Sequence, residues 1–225
     1  MQKTLAYRFR DETLFADALS HRSAAGNSNE RLEFLGDAIL DVVISRAVYE
    51  RRPAADEGDL SRLRASLVND VTLGKLAGTL RVGDHIRLGS GEKKTGGHRR
   101  SSILADALEA LFGAVYLDRG FDEVERLILD IYQERLADLP AAEDLKDPKT
   151  RLQERLQAEA LGLPEYEVSE VAGKPHRRRF TVTCQVPDLQ LAVAGEGTSR
   201  RAAEQQAAKL MLDELDSRLQ PGNSA

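Results

Sequence analysis

Carboxylates set at helical spacing inside largely apolar runs constrain this 225-residue chain more than any other feature. Glu30, Glu33 and Asp37 stand at i, i+3 and i+7 in the run Asn29-Glu30-Arg31-Leu32-Glu33-Phe34-Leu35-Gly36-Asp37, so a helix stacks them along one face, where like charges repel. Asp106 and Glu109 repeat the i, i+3 spacing within Ile103-Leu104-Ala105-Asp106-Ala107-Leu108-Glu109-Ala110, with no other charged side chain between Ser102 and Leu117. A wet helix face, with Arg31 pairing locally, would account for Glu30 and Glu33 taken alone. It does not account for Asp106 and Glu109, because a carboxylate amid apolar neighbours needs a compensating partner. Oxygen ligands with no His or Cys cluster beside them suit a hard divalent cation, Mg²⁺, with Mn²⁺ able to substitute. The spacing predicts two helices whose acids meet at a shared ion, and with it phosphoryl-transfer chemistry.

With 41% hydrophobic residues but no Trp and only 5% aromatics, the cores must be built from Leu, Val, Ile and Ala. No run of about 18 apolar residues occurs, and the first residues already carry Lys3, Arg8 and Arg10. Neither a membrane span nor a leader is expected, and the expected location is cytoplasmic. Cys184 has no second cysteine to pair with and alternates with Val182 and Val186, which predicts a small core hydrophobe rather than a nucleophile.

Proline usage and periodicity divide the chain. Of seven prolines only Pro53 precedes Pro140, and 3.6-residue periodicity runs through 29–51, 60–80, 101–117 and 121–136. This part reads as an all-helical domain over 1–140. The polar stretch 138–148, which holds Pro140 and Pro148, suits a short linker at 141–147. Beyond it lie a helix near 148–159, three period-two stretches from Tyr166, Phe180 and Leu189, and a closing helix at about 199–217 with Ala203, Ala207, Leu210 and Met211 as its buried stripe. The order α-β-β-β-α predicts a small α+β domain over 148–218, an antiparallel sheet with both helices on one face, followed by a flexible tail at 219–225.

Net charge is −5, and residues 147–225 hold 11 Lys and Arg against 12 Asp and Glu, so bulk charge does not point to a polyanion. Its distribution does. Residues 171–201 contain Lys174, Arg177, Arg178, Arg179, Arg200 and Arg201 against Asp188 and Glu196. Ser199 is placed to cap the last helix, which leaves Arg200 and Arg201 in its first turn, where a cation opposes the helix dipole and is explained by an external phosphate.

The signature 29–37 resembles that of ribonuclease III, and Asp56-Glu57-Gly58-Asp59-Leu60-Ser61 and the 103–110 block resemble the other two nuclease blocks of the bacterial enzyme. Ala18-Leu19-Ser20-His21-Arg22-Ser23 is similar to the family's early helix, and 147–153 with 197–205 is similar to a double-stranded-RNA-binding domain. The resemblance implies metal binding by Glu33, Asp37, Asp106 and Glu109, with Asp37 and Glu109 central to catalysis and Glu30 and Glu57 as secondary catalytic acids. It implies cleavage of double-stranded RNA, in rRNA and mRNA precursors, to 5′-phosphate and 3′-hydroxyl ends with short 3′ overhangs. It further implies a homodimer into which Phe34 docks.

Such a domain reads duplex RNA by shape. Gln153 and Gln157 are assigned to one minor groove, His176 to the next, and Arg200 and Arg201 to the phosphates between. Arg in place of the usual Lys keeps the charge, and Ala202 stands where relatives add a third cation. His21 is expected to be structural. A non-catalytic duplex-RNA-binding regulator is the alternative reading, marked by loss of an essential acid; a helical phosphohydrolase of small nucleotides is a third, and it leaves the second domain idle.

Overall fold

The computed structural model describes residues 1–173 and 177–219, with Leu219 by its backbone only. The chain forms two compact units, one spanning Met1–Ala142 and one beginning at Glu143. Among the described residues no helix is long and apolar enough to cross a membrane.

The first unit is helical: α1 (Glu12–Ala18), α2 (Glu30–Arg51), α3 (Glu57–Val68), α4 (Asp70–Thr79), α5 (Ser90–Lys94), α6 (Ser101–Arg119) and α7 (Phe121–Ala137). Helix α6 is apolar nearly all round and is accordingly central, packing against α1, α2, α4 and α7. Leu40, Ile44, Leu108, Leu111, Phe112, Leu127 and Ile128 are fully buried in this core. Tyr132 is equally buried and satisfies its hydroxyl by donating to the Leu67 carbonyl at 3.1 Å.

The periodic run 60–80 is two helices rather than one. Asn69 takes an extended conformation (ψ 158°), its Oδ1 accepts the Thr72 N–H that opens α4, and its Nδ2 donates to the Ala65 and Ser66 carbonyls that close α3. One side chain thus ends one helix and starts the next. The early-helix resemblance shifts as well: α1 stops at Ala18, and His21 lies in the turn that follows.

In the second unit, α8 (Pro148–Ala158), β1 (Glu165–Ala172), β2 (Arg179–Val186), β3 (Leu191–Gly197) and α9 (Arg200–Leu219) follow in that order. The expected linker stretch contains a 3₁₀ turn at Ala142–Leu145 and the α8 cap, Asp147, which accepts the Thr150 N–H with Pro148 at the first helical position. The antiparallel sheet runs β1-β2-β3, with Tyr166 opposite Cys184 and Cys184 opposite Val193. β3 starts at Leu191 rather than Leu189 because Pro187–Leu189 forms a 3₁₀ turn closed by Gln190 at φ 53°.

Leu152, Leu156, Cys184, Val186, Ala207, Ala208, Met211 and Leu212 make up this unit's core. Cys184 is fully buried and its thiol is pushed up by that burial, as a core residue's would be. Leu210, assigned to the buried stripe, is exposed; Ala208, Leu212 and Leu215 take the inward positions instead.

Candidate metal centre and nucleic-acid interface

Helices α2 and α6 cross backbone to backbone. A Cβ added at Gly36 would lie 1.8 Å from the Glu109 carbonyl oxygen, and one at Gly113 would lie 2.2 Å from that of Leu32. Any larger residue would wedge the helices apart, so Gly36, set among the acids of its helix, is what lets the two acidic segments approach. Glu33, Asp106 and Glu109 converge at this crossing, each offering an oxygen within 4.8 Å of the others.

Electrostatics shows what the convergence costs. Burial, then the charges of Asp37, Glu33, Asp106 and Asp70, push Glu109 up to about 8, with no basic group among these leading causes. Burial raises Glu33 as well, followed by the charges of Asp106 and Glu30, and raises Asp37, followed by Asp41. Asp106 is raised by burial and by Asp70, against the opposing pull of His21 and Arg22. The donor set is all oxygen, partly desolvated and short of positive charge, which fits a hard divalent cation.

The remaining assigned acids fall elsewhere. Asp37 is not in the converging group and is linked to Glu109 through its charge. Glu30 lies on the rim of a cleft of about 190 Å³ that Glu33 and Asp106 line, accepting a hydrogen bond from Ser28 and facing Arg22 at 3.7 Å. Glu57 accepts from Ser61 in the first turn of α3 and lines a separate groove beside Tyr49 and Arg64. Phe34 is 79% exposed and belongs to no core of its own chain.

The structure adds residues that spacing did not single out. Asp70 reaches Glu109 and Asp106 electrostatically from the first turn of α4, where an acid after an Asn cap reads as ordinary. Glu92 lines the acidic cleft, pairs with Arg100 at 3.2 Å and keeps one oxygen buried. Its only signal in the sequence is that it is the one acid among Arg87, Lys93, Lys94, Arg99 and Arg100.

In the second unit, Ser199 caps α9 as expected, its Oγ accepting the Ala202 N–H at 3.1 Å. Arg200 and Arg201 line a groove of about 630 Å³ with Gln153, while Gln157 is exposed on the same helix as Gln153. Arg200 donates through Nε to Glu204 Oε1 at 2.8 Å. Lys149, missed in the sequence, binds the other Glu204 oxygen at 2.7 Å and stands 4.3 Å over the Tyr166 ring. Arg177, Arg178 and Arg179 are exposed, the last pairing with Glu196 at 3.3 Å. His176 and Lys174 lie outside the described residues.

Residues 11–136 match the family model of ribonuclease-III-like proteins, and residues 148–215 match the double-stranded RNA binding motif. Over 216 residues the chain is 57% identical to the Ribonuclease 3 of Alkalilimnicola ehrlichii, covering 96% of this chain and 95% of that protein. It is 51% identical to the Ribonuclease 3 of Proteus mirabilis, covering 96% of each. The solved nuclease domain of ribonuclease III from Campylobacter jejuni, which shows structural flexibility in a region involved in dimer formation, is similar at a TM-score of 0.59 and 40% identity, over 61% of this chain and 96% of that one.

Proposed function

The chain belongs to the ribonuclease III family, and we propose that it is a Mg²⁺-dependent endoribonuclease that processes rRNA and mRNA precursors. It cleaves double-stranded RNA, the reading that both matched regions and its named relatives support. The observation that carries the metal reading is the meeting of Glu33, Asp106 and Glu109 within 4.8 Å with no basic group among the causes that shift Glu109.

A bound divalent cation would supply a polarised water and neutralise charge on the scissile phosphate. The chain's residues do the rest. Glu33, Asp106 and Glu109 would hold the ion, and Glu109 would have to give up its carboxyl proton to do so near neutral pH. Asp37 adds negative charge beside Glu109, and Glu30 and Glu57 are secondary acids near the scissile strand. In the second unit Arg200 and Arg201 bind backbone phosphates, Gln153 and Gln157 reach one minor groove, and His176 reaches the next.

A homodimer sets two such centres against the two strands of one duplex, leaving 5′-phosphate and 3′-hydroxyl ends with short 3′ overhangs. The exposed Phe34 is its proposed docking aromatic. The work is placed in the cytoplasm, on 1–140 for the chemistry and 148–218 for duplex binding, joined at 141–147, with 219–225 as tail.

Incubation of purified protein with long duplex RNA, with Mg²⁺ and then with excess chelator, tests the reading. Cleavage to 5′-phosphorylated products only with the metal is expected. Equal cleavage in chelator would overturn the metal centre, and binding without cleavage under both conditions would leave a non-catalytic regulator.

A further inference from the structure

His21 is the most buried ionisable side chain bordering the acidic cleft, at 9% exposure, and the mechanism above gives it no work. Its surroundings hold it rigidly. The His21 N–H donates to the Arg87 carbonyl at 3.1 Å, the Asn29 N–H to the Ser20 carbonyl at 2.8 Å, and the Ala24 N–H to the His21 carbonyl at 2.8 Å. Ser23 Oγ accepts the Gly89 N–H at 3.0 Å, so the loop is tied on both sides.

Hydrogen bonding decides the ring's tautomer. Ser23 N–H, which can only donate, points at Nδ1 at 3.2 Å, and Ser23 Oγ is 2.8 Å from the same nitrogen. Nδ1 is therefore an acceptor, and in the neutral ring the proton sits on Nε2. His21 and Asp106 line the same cleft, and Nδ1 is already engaged by Ser23, so Nε2–H is the ring's remaining donor.

We propose that His21 is a positioning residue for the metal centre, its Nε2–H donating to the Asp106 oxygen that the ion leaves free. The proposal rests on the metal reading above. A ligating carboxylate has a second oxygen to satisfy, and a donor fixed by its own second hydrogen bond holds that carboxylate in its gripping orientation.

The test uses the full chain and Mn²⁺ alone, without RNA, in two variants: His21→Gln, which can return an N–H near the Nε2 position, and His21→Leu, which cannot. Calorimetric titration is expected to give His21→Leu a Mn²⁺ affinity about 10- to 100-fold below wild type, and His21→Gln an affinity within about threefold of it. In cleavage assays at saturating RNA, kcat of His21→Leu should fall at low metal and recover as metal is raised, with KM for duplex unchanged. A residue that only supports the loop would lower the melting temperature of both variants in chelator and leave the Mn²⁺ affinity of the folded protein as it was; that result overturns the proposal. Should His21→Leu fail to fold, His21→Ala takes its place with the same loss expected; a folded His21→Ala within about threefold of wild type in Mn²⁺ affinity would overturn the proposal, and one about tenfold or more weaker beside a near-wild-type His21→Gln would support it. Wild-type protein that binds no Mn²⁺ would overturn the metal reading itself and this inference with it, a result distinct from equal binding by all three proteins.

Discussion

Among the described carboxylates, Glu109 carries the sharpest conflict between charge and burial. In the fold it is pushed up to about 8, against 4.5 for an ordinary glutamate, so between those values the native state holds a proton that the unfolded chain has released. Stability from this group is full below about pH 4.5 and is lost as pH rises through 8. In chelator, the melting temperature should fall between pH 5 and 8.5, by an amount corresponding to about 2 kcal/mol once screening in the partly open cleft is allowed for. Mg²⁺ should flatten that slope, because the ion takes the proton's place. Glu109→Gln should melt higher than wild type in chelator at pH 8, bind duplex RNA as before and cut it hardly at all, a trade of function for stability. A melting temperature for Glu109→Gln that tracks wild type at every pH would remove the charge conflict as an explanation. The acids were legible in the sequence because burial and charge contradict each other there. Asp70 and Glu92 were not, since each sits where an acid looks ordinary: a helix start and a basic loop.

At the level of elements, the acidic cleft depends on a helix crossing that no periodicity reveals. The patterns identify α2 and α6 as helices and even mark which faces are apolar, but contact between them is set by Gly36 and Gly113, whose missing side chains carry no hydrophobic signal. Gly36→Ala should therefore cost about 1–3 kcal/mol through overpacking, read by denaturant titration, and should also weaken Mn²⁺ binding by spreading Glu33 from Asp106 and Glu109. Loss of stability with unchanged metal affinity would mean that the helices separate without moving the acids.

The split of 60–80 escaped for a related reason. Asn69 interrupts the backbone but keeps the apolar rhythm, so α3 and α4 read as one helix until the cap geometry is seen. The short α1 and α5 held too few turns to register as periods. α9 carries the opposite lesson: its cap and first-turn arginines were readable, whereas Glu204, which also holds Arg200, binds Lys149 from 55 positions away in sequence. Changing Arg200 and Arg201 together to Ala should weaken duplex binding and lessen the dependence of log affinity on log salt by about 1–2 charges, measured by titration at several salt concentrations. An unchanged slope would count against phosphate contact.

For the molecule as a whole, a chain of net charge −5 has to engage a polyanion, so its binding must come from a few concentrated cationic surfaces and from symmetry rather than from bulk attraction. Helix α2 supplies the feature that speaks to symmetry. Phe34, Val42 and Tyr49 are 79%, 58% and 70% exposed along one helix whose other residues include the buried Leu40, Val43 and Ile44. Large apolar side chains in a row on the solvent side mark a surface that another protein covers. In the proposed homodimer the occupant is a second copy, which would give a duplex one centre per strand because a two-fold dimer shares the pseudo-two-fold of the double helix. Phe34→Arg places a charge where the partner would be desolvated, while on the isolated chain the same change sits in water and should leave melting nearly unaltered. Sedimentation velocity should show a monomer for this variant and a dimer for wild type. Products from end-labelled duplex should shift from paired cuts with short 3′ overhangs to sparse single-strand nicks, with duplex binding by the second unit retained. A Phe34→Arg protein that still sediments as a dimer would move the interface off this helix, and a wild-type monomer that makes paired cuts would show that the two strands are cut without a two-fold partner.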